Sequence, residues 1–382
     1  MVPRCCAAAS APATARNRSR PSWPPSAKPF PARPLPGPAA AARTEATPTA
    51  RCRAPAASAH GRMKMPDSTH PTSTVLAQLS DPHLPLPAWV PPTELFNKRL
   101  LGLLSWYTRR RYRYRPETLA ALVEDLRAQA PDWITVSGDL TNLGLESEFR
   151  RARLWLDRLA APERLLVVPG NHDATVPGAW ERGAPHWAPY WHGDAPYGEA
   201  GAAFPVLRRR GPLALIGLST AIASPAGRAV GEVGEPQRRR LAELLRQTRS
   251  ERLCRVLILH HPLIEGTVRA RKRLLDGEAL CELLAAEGVE LVIHGHGHRS
   301  HHLQLDTRDG SAPVIGVPSA SSARDEYAAY HLYRIQPAAD GWTLELEVRR
   351  WRPRDGRVES AERMSTALPR AHAAAAAPEQ SV

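Results

Sequence analysis

The hydrophobic positions of the chain alternate between short apolar runs and longer amphipathic segments. Residues 75–79 form an apolar run that predicts a buried strand. Pro116 then opens a segment whose apolar residues have helical spacing, at Leu119, Leu122, Val123 and Leu126. A second helix is predicted over about 146–159. Further strands are predicted at 133–136, 165–168, 213–218, 256–259 and 291–293.

The last third of the chain has a different pattern. Short apolar stretches near 313–317, 330–335 and 342–348 follow one another without an intervening helical segment, which predicts an antiparallel finish. The earlier alternation of strands and helices is typical of a layered α/β domain.

Polar residues with metal-binding side chains directly follow five of the predicted strands. They are Asp81, His83, Asp139, Asn171, His172, His260 and the histidines of 294–302. In open α/β sheets, ligands bind beyond the carboxyl ends of the strands. The pattern therefore predicts a site at that edge.

The side-chain types in this set indicate a metal centre. Carboxylates, an amide oxygen and imidazoles, without a thiolate, suit divalent metals such as Mn, Fe or Zn. One ion needs about four ligands, and this set exceeds that number. A shared carboxylate would allow two metals about 3.5–4 Å apart.

Five short blocks in the chain resemble the ordered motifs of the calcineurin-like metallophosphoesterases. The blocks are Asp81-x-His83, Gly138-Asp139, Gly170-Asn171-His172-Asp173, His260-x-Pro262 and Gly295-His296-x-His298. The resemblance covers 74–352 and implies an αββα sandwich of two mixed β-sheets flanked by helices, with the metal site at the carboxyl ends of the strands.

The resemblance also implies roles for nine residues and a cofactor of two divalent metal ions. One metal would be held by Asp81, His83 and His298, and the other by Asn171, His260 and His296. Asp139 would bridge both ions. His172 would face the substrate and stabilise or protonate the leaving group, and Asp173 would orient His172.

The implied reaction is hydrolysis of a phosphodiester by in-line attack of a metal-bridging hydroxide. The blocks are most similar to class III cyclic nucleotide phosphodiesterases, so a cyclic nucleotide or similar small phosphodiester is favoured as substrate. One alternative is a membrane-associated phosphoesterase acting on phospholipid or glycolipid headgroups. Another is a non-catalytic scaffold.

Several histidines near the blocks compete for the same roles. His261 neighbours His260, but the family spacing and the alternation of side chains along a strand favour His260. His294 is interpreted as a polar neighbour of the site. His301 and His302 are expected to open the next strand.

Residues 94–115 form an insertion between the first strand and the first helix. An apolar half is followed by five arginines within 109–115. This segment could contact a membrane surface peripherally, cap the site and bind an anionic substrate, or pack on the domain with its arginines in solvent.

The basic charge of the chain is concentrated at its start. The net charge is +13, but residues 1–62 contribute nine Arg and one Lys against a single acid. The rest is near balance, which disfavours a nucleic-acid binder. We expect 1–65 to be a disordered Pro/Ala/Arg-rich tail or a mis-assigned start, and 361–382 to be a flexible C-terminal tail.

Composition also suggests a compartment. No apolar run approaches the roughly 20 residues of a spanning helix. Cys254 and Cys281 lie in apolar settings, as expected for buried thiols in a reducing environment. A cytoplasmic protein is therefore expected, with peripheral membrane contact through 95–115 as an alternative.

Overall fold

The computed structural model describes residues 73–194, 204–324 and 328–369. The helices in these ranges are α1 (Arg99–Thr108), α2 (Pro116–Ala128), α3 (Glu146–Leu159), α4 (Ala179–Gly183), α5 (Ala188–Trp191), α6 (Glu235–Ser250) and α7 (Gly277–Glu287). The strands of the first half are β1 (Thr74–Leu79), β2 (Trp133–Val136), β3 (Leu165–Val167), β4 (Val206–Arg210), β5 (Leu213–Gly217) and β6 (Cys254–Ile258). Those of the second half are β7 (Leu291–His294), β8 (His301–Thr307), β9 (Gly310–Gly316), β10 (Ala329–Ala338), β11 (Gly341–Arg352) and β12 (Arg357–Pro369).

The strands form two mixed sheets. The first sheet has the order β12-β11-β10-β1-β2-β3, in which β1, β2 and β3 are parallel and the other neighbours are antiparallel. The second sheet has the order β4-β5-β6-β7-β9-β8, with β5, β6, β7 and β9 parallel. Each sheet therefore contains a block of parallel strands with a common direction, at one side of the first sheet and in the middle of the second.

Three apolar layers hold the sheets and helices together, and the period-two alternation of the strands assigns residues to them. In β6, Val256 and Ile258 face the layer between the two sheets. Leu257 faces the layer that contains α6 and α7. The third layer lies between the first sheet and helices α2 and α3. The fold is thus an αββα sandwich, as expected.

Most predicted elements are confirmed, and several further elements lie outside the predicted set. The helix predicted at 146–159 has these bounds in α3. The final three predicted strands are longer than expected. The expected antiparallel finish is confirmed for β10 and β11, which β12 extends, but it is wrong for β9, which lies in the other sheet and runs parallel to β7.

The expected flexible tail at 361–382 is wrong for 361–369, because these residues belong to β12. Their backbone groups pair with β11, and the domain therefore extends beyond 352. The remainder of that tail and the whole of 1–65 lie outside the described residues.

The insertion is anchored to the domain by one side of α1. Trp106 is buried with Leu143 and Leu145. The buried guanidinium of Arg99 donates to the carbonyl oxygens of Leu143 (2.9 Å) and Gly144 (2.6 Å) and pairs with Glu94. The insertion is thus part of the packed structure.

None of the helices in the described ranges combines the length and apolar composition that a membrane-crossing segment requires.

A buried ionic cluster connects β6, the start of β7 and the β8–β9 turn. Arg255 and Glu290 are fully buried, with 2.7 Å between Nη2 and Oε1. Asp309 lies 3.0 Å from the same guanidinium and also pairs with Arg249. Removing one partner of a buried pair leaves the other charge uncompensated, which costs about 3–5 kcal/mol.

We therefore expect Arg255→Met to lower the free energy of unfolding by about 3–5 kcal/mol, because Glu290 loses its buried counter-charge. Urea denaturation followed by circular dichroism measures this change. Arg239→Met is the matched control, since Arg239 pairs with Glu235 on an exposed face of α6 and little change is expected. Equal midpoints for the two variants would contradict the stabilising role of the cluster.

Candidate metal centre

The candidate ligands meet where the parallel strands of both sheets end. Asp81 and His83 follow β1, Asp139 follows β2, and Asn171 follows β3, all in the first sheet. His260 follows β6, and His296 and His298 follow β7, in the second sheet. The αββα layering places these two edges side by side.

Two groups of side chains at this edge have potential ligand atoms within 4.8 Å of one another. One group contains Asp81, His83 and His298, and the other contains Asp139, His260 and His296. Asp139 also lies between them, because its Oδ2 is 3.8 Å from His83 Nε2 and 3.4 Å from His260 Nε2. This carboxylate oxygen is therefore positioned to contact both groups.

Each of the two carboxylates is fixed through one oxygen and offers the other to the site. Asp81 Oδ2 accepts from Ser80 Oγ (2.6 Å) and the His296 amide (3.0 Å), while Oδ1 lies 3.0 Å from His298 Nε2. Asp139 Oδ1 accepts the His172 amide at 2.8 Å, which leaves Oδ2 towards the imidazoles. Hydrogen bonds of this kind orient metal-binding carboxylates.

Backbone carbonyls fix the tautomers of two imidazoles. Ser137 O accepts from His260 Nδ1 at 2.7 Å, so Nε2 is the ring nitrogen that faces Asp139. Lys272 O accepts from His296 Nε2 at 3.1 Å, so Nδ1 carries the lone pair towards His260. Such contacts set the nitrogen available to a metal.

The residues present fit a divalent-metal centre. Within the described part of the chain, Asn171 Oδ1 and both ring nitrogens of His83 are buried without a hydrogen-bond partner. Buried polar atoms normally have a hydrogen-bond partner, so unpartnered atoms at this place fit a role as metal ligands. Burial alone would lower the pKa of His260, but the Asp139 carboxylate raises it to about 9. A proton on His260 thus supplies positive charge where a cation would bind.

The backbone at the site is in an unusual conformation. Positive φ angles occur at Asp81 (50°), His83 (39°), Asp139 (58°), His296 (63°) and His298 (54°). These five are most of the seven non-glycine residues with positive φ that the described ranges contain. Such residues cost about 1–3 kcal/mol each and cluster at functional sites.

Gly138 allows the close approach of the two sheets at this point. Its φ is +92°, and a Cβ atom there would lie 2.6 Å from His260 Nδ1 and 2.7 Å from the Gly170 amide. Glycine is therefore required beside Asp139 both by conformation and by space.

His172 lies in the cleft, but Asp173 does not contact its ring. The Asp173 carboxylate accepts the amides of Asp139, Gly170 and Thr141, all at 2.9 Å. The His172 ring instead has its Nδ1 2.8 Å from the carbonyl oxygen of Asn142. The expectation that Asp173 orients His172 is corrected: Asp173 positions the loops that carry Asp139 and Gly170.

The neighbouring histidines have partners outside the two groups. His261 is buried with Nδ1 2.7 Å from Thr220 Oγ1 and Nε2 3.2 Å from Ala229 O. His294 has its Nδ1 3.1 Å from Gly295 O. His301 and His302 begin β8, as expected. The structure therefore brings His260, rather than His261, to Asp139.

The cleft above these groups has a volume of about 360 Å³, and its lining includes five arginine and lysine side chains. They are Arg110, Arg113, Lys272, Arg299 and Arg324. Asp139 is the sole carboxylate among the described lining residues. A cleft with this charge attracts anionic substrates.

Three residues of the insertion line the cleft, and two of them, Arg110 and Tyr114, contact histidines of the site. Tyr114 stacks on His83, with 4.1 Å between ring centroids. The Arg110 guanidinium contacts His172 Nε2, and burial together with Arg110 lowers the pKa of His172 to about 3. Of the three alternatives for the insertion, capping of the site and packing on the domain are thus both observed.

These cleft residues were not among the predicted site residues. The sequence offered a signal, because the arginine run directly follows the insertion's apolar half and lies close to the end of β1. It did not show which arginine turns inward. Lys272 carried no comparable signal, because it lies in a 3₁₀ turn before α7 and belongs to none of the blocks.

The match to a protein family covers most of this domain. Residues 74–300 match the model of the calcineurin-like phosphoesterases. The chain belongs to this family. It is a metal-dependent phosphoester hydrolase, and its two groups of potential ligands lie where the ordered blocks of the sequence converge.

A protein from Synechococcus sp. is similar in sequence to this chain. It is named a probable cyclic nucleotide phosphodiesterase and is 29% identical over 233 residues. The aligned part covers 60% of this chain and 77% of the cyanobacterial protein.

Solved structures of two phosphatases are also similar to this calcineurin-like phosphoesterase. A dimetal phosphatase from Danio rerio is 14% identical, with a TM-score of 0.47 over 77% of this chain and 98% of that one. A purple acid phosphatase from yellow lupin is 13% identical, with a TM-score of 0.45 over 78% of this chain and 54% of that one. The family assignment rests on the match at 74–300.

Arg110 should contribute to phosphoester hydrolysis as a cation of the cleft. We expect Arg110→Ala to lower kcat/KM for bis-p-nitrophenyl phosphate by about 10- to 100-fold, since a hydrogen bond to a charged group contributes about 1.5–3 kcal/mol. Steady-state kinetics with matched metal loading measures the effect.

Arg111→Ala is the control for this variant. Arg111 belongs to the same 3₁₀ turn, but it packs over the exposed rings of Tyr107 and Tyr112 rather than in the cleft. Its kcat/KM should remain within about twofold of the wild type, in keeping with a surface substitution. Equal losses in both variants would show that the turn, rather than the Arg110 side chain, matters.

Proposed function

We propose that this calcineurin-like phosphoesterase hydrolyses a small phosphodiester, with cyclic nucleotides as the favoured substrate class. The observation that carries the proposal is the pair of side-chain groups at the base of a cationic cleft, with Asp139 Oδ2 positioned to contact both. The name of the Synechococcus protein is consistent with this substrate class.

The proposed metal ligands are those implied by the sequence motifs. Asp81, His83 and His298 would hold one divalent ion; Asn171, His260 and His296 would hold the second. Asp139 would contact both. Asn171 is included because its buried Oδ1 has no hydrogen-bond partner within the described residues. When bound, two such ions lower the pKa of a coordinated water and neutralise phosphate oxygens.

The basic side chains of the cleft would bind the phosphate oxygens and orient the ester. Arg110 offers a fork of N–H donors, which matches the geometry of a phosphate. Lys272 adds a second positive charge on the same cleft. The cleft would thus bind a phosphate through fixed charges as well as through the ions that the ligands would hold.

His172 would act on the leaving group together with Arg110. Its low pKa, caused by burial and by Arg110, keeps the imidazole neutral near neutral pH. Its Nδ1–H is donated to Asn142 O, so Nε2 carries a lone pair that faces Arg110. In this arrangement, His172 would hold Arg110 beside the leaving oxygen rather than protonate that oxygen itself.

Asp139→Asn tests the shared carboxylate with almost no change in shape. We expect loss of bound metal, measured by inductively coupled plasma mass spectrometry, and at least a hundredfold loss of turnover. Changes to residues that merely support a ligand already cost about 10- to 100-fold.

Asp340→Asn is the matched control, because Asp340 is exposed in the turn between β10 and β11. Its metal content and turnover should equal those of the wild type. Circular dichroism would establish that both variants are folded. Wild-type metal content and turnover in Asp139→Asn would refute the proposed centre.

The substrate class is tested by a separate comparison. The metal-loaded wild type is assayed with cyclic AMP, bis-p-nitrophenyl phosphate, p-nitrophenyl phosphate and a glycerophosphodiester. We expect cyclic AMP and bis-p-nitrophenyl phosphate to be cleaved faster than the monoester p-nitrophenyl phosphate. Preferential cleavage of p-nitrophenyl phosphate would instead assign a phosphomonoesterase, and preference for the glycerophosphodiester would assign a headgroup hydrolase.

A further inference from the structure

Exposed large apolar side chains are concentrated on the insertion. The described ranges contain ten such residues, and seven of them lie between 89 and 112. They are Trp89, Phe96, Leu100, Leu101, Leu104, Tyr107 and Tyr112. The other three, Leu154, Leu275 and Leu303, are isolated along the chain. Single exposed apolar residues are ordinary, but a contiguous group marks an interaction surface.

The exposed side of α1 carries the centre of this group. Leu100 and Leu104 lie one turn apart, and Tyr107 follows after three residues, so the three share a face of the helix. Phe96 lies three residues before the start of the helix and is 87% exposed. The opposite side of α1 is occupied by Trp106, which is buried against the domain. We call the exposed set Phe96, Leu100, Leu104 and Tyr107 the α1 face.

Positive charge surrounds the α1 face. From 95 to 116 the sequence contains Lys98, Arg99 and the five arginines of 109–115, with no acidic residue. Arg99 is buried and paired with Glu94, but Arg109, Arg111, Arg113 and Arg115 are exposed. An apolar helix face bordered by exposed arginines is complementary to a lipid surface that carries negative charge.

Aromatic and arginine side chains are stacked at the end of the face. The Arg111 guanidinium lies 4.6 Å from the ring centroid of Tyr112 and 5.8 Å from that of Tyr107. Tyrosine combines an apolar ring with a polar tip, which suits the boundary between headgroups and acyl chains. Arg110 and Tyr114, in the same stretch, line the cleft.

We propose that the α1 face docks on the surface of an anionic phospholipid bilayer. Docking would place the helix in the plane of the interface, with Leu100 and Leu104 among the upper acyl carbons and the arginines at the headgroups. The mouth of the cleft would then lie next to the bilayer, because Arg110 follows α1 within one helical turn. The proposal concerns a binding surface and holds whichever phosphodiester the enzyme cleaves.

The experiment is a flotation assay with the full chain and two triple variants. Phe96→Gln/Leu100→Gln/Leu104→Gln removes the apolar face without adding charge, and glutamine has nearly the helix propensity of leucine. Leu154→Gln/Leu275→Gln/Leu303→Gln is the matched control, which removes isolated exposed leucines. The vesicles contain equimolar phosphatidylcholine and phosphatidylglycerol, with pure phosphatidylcholine vesicles as a second arm.

The comparison of the two triple variants separates the α1 face from the start of the chain. Residues 1–62 are strongly basic, so any attraction they exert on anionic lipid is present in both variants. We expect the partition coefficient of the α1-face variant to be at least about tenfold below those of the wild type and the control variant. Binding of the wild type to pure phosphatidylcholine should also be weaker.

Two results would overturn the proposal. One is equal flotation of the two triple variants with the anionic vesicles. The other is a wild type that does not float but forms a dimer in size-exclusion chromatography that the α1-face variant lacks, which would make the face a contact between copies of this chain. Hydrolysis of bis-p-nitrophenyl phosphate and the thermal unfolding midpoint, measured without lipid, should be the same in both variants, which shows that folding and chemistry are intact.

Discussion

The buried carboxylate of Asp139 is the point at which the two halves of the sandwich depend on each other. It belongs to the first sheet, yet its Oδ2 faces His260 of the second sheet at 3.4 Å. Burial raises the pKa of this carboxyl, but His260 and the other nearby imidazoles hold it well below its usual range. A buried negative charge is tolerated only with such compensation. The sheets must therefore meet with their imidazole-bearing edges aligned, and the order of strands in both sheets satisfies this requirement.

The backbone around Asp139 is held as firmly as its side chain. The Asp173 carboxylate accepts hydrogen bonds from three backbone amides in the loops after β2 and β3. These bonds fix the left-handed conformation at Asp139. Burial raises the pKa of Asp173 to about 7, with Asp139 as a further cause. Two acidic side chains thus lie close together, one facing the ligands and one facing the loops. Conformational strain at the site is balanced by hydrogen bonds immediately behind it.

Much of this arrangement is predictable from the sequence because the central strands are apolar on both faces. Strands such as β6 and β7 pack between two layers, so they are short and hydrophobic apart from Arg255 in β6 and His294 at the end of β7. The polar residues after each strand are therefore conspicuous. The αββα layering follows from the ordered blocks. Helix α6 lies outside the predicted set, although its buried residues have helical spacing, at Leu241, Leu244, Leu245 and Thr248. The sequence pattern was therefore sufficient to predict this helix.

Other features depend on contacts that a linear pattern does not contain. Strand β12 lies at an edge of its sheet and is largely exposed, so its sequence resembles a solvated tail. The inward direction of Arg110 depends on Arg109, where φ of −140° and ψ of −51° end the helix and turn the chain. Asp173 has a motif position that suggests a partner for His172, but its geometry is set by the amides of neighbouring loops. Tertiary contacts decide each of these cases.

The place at which the insertion enters the fold allows the insertion to change without a change in the reaction centre. It leaves the domain after β1 and returns at Pro116, so its length and surface can vary while the pairing of β1 with β2 and β10 is unaffected. The long loop costs little in closure entropy. During evolution, this segment could therefore be replaced, which would change the cellular location or the substrate of the enzyme while the reaction centre stays the same.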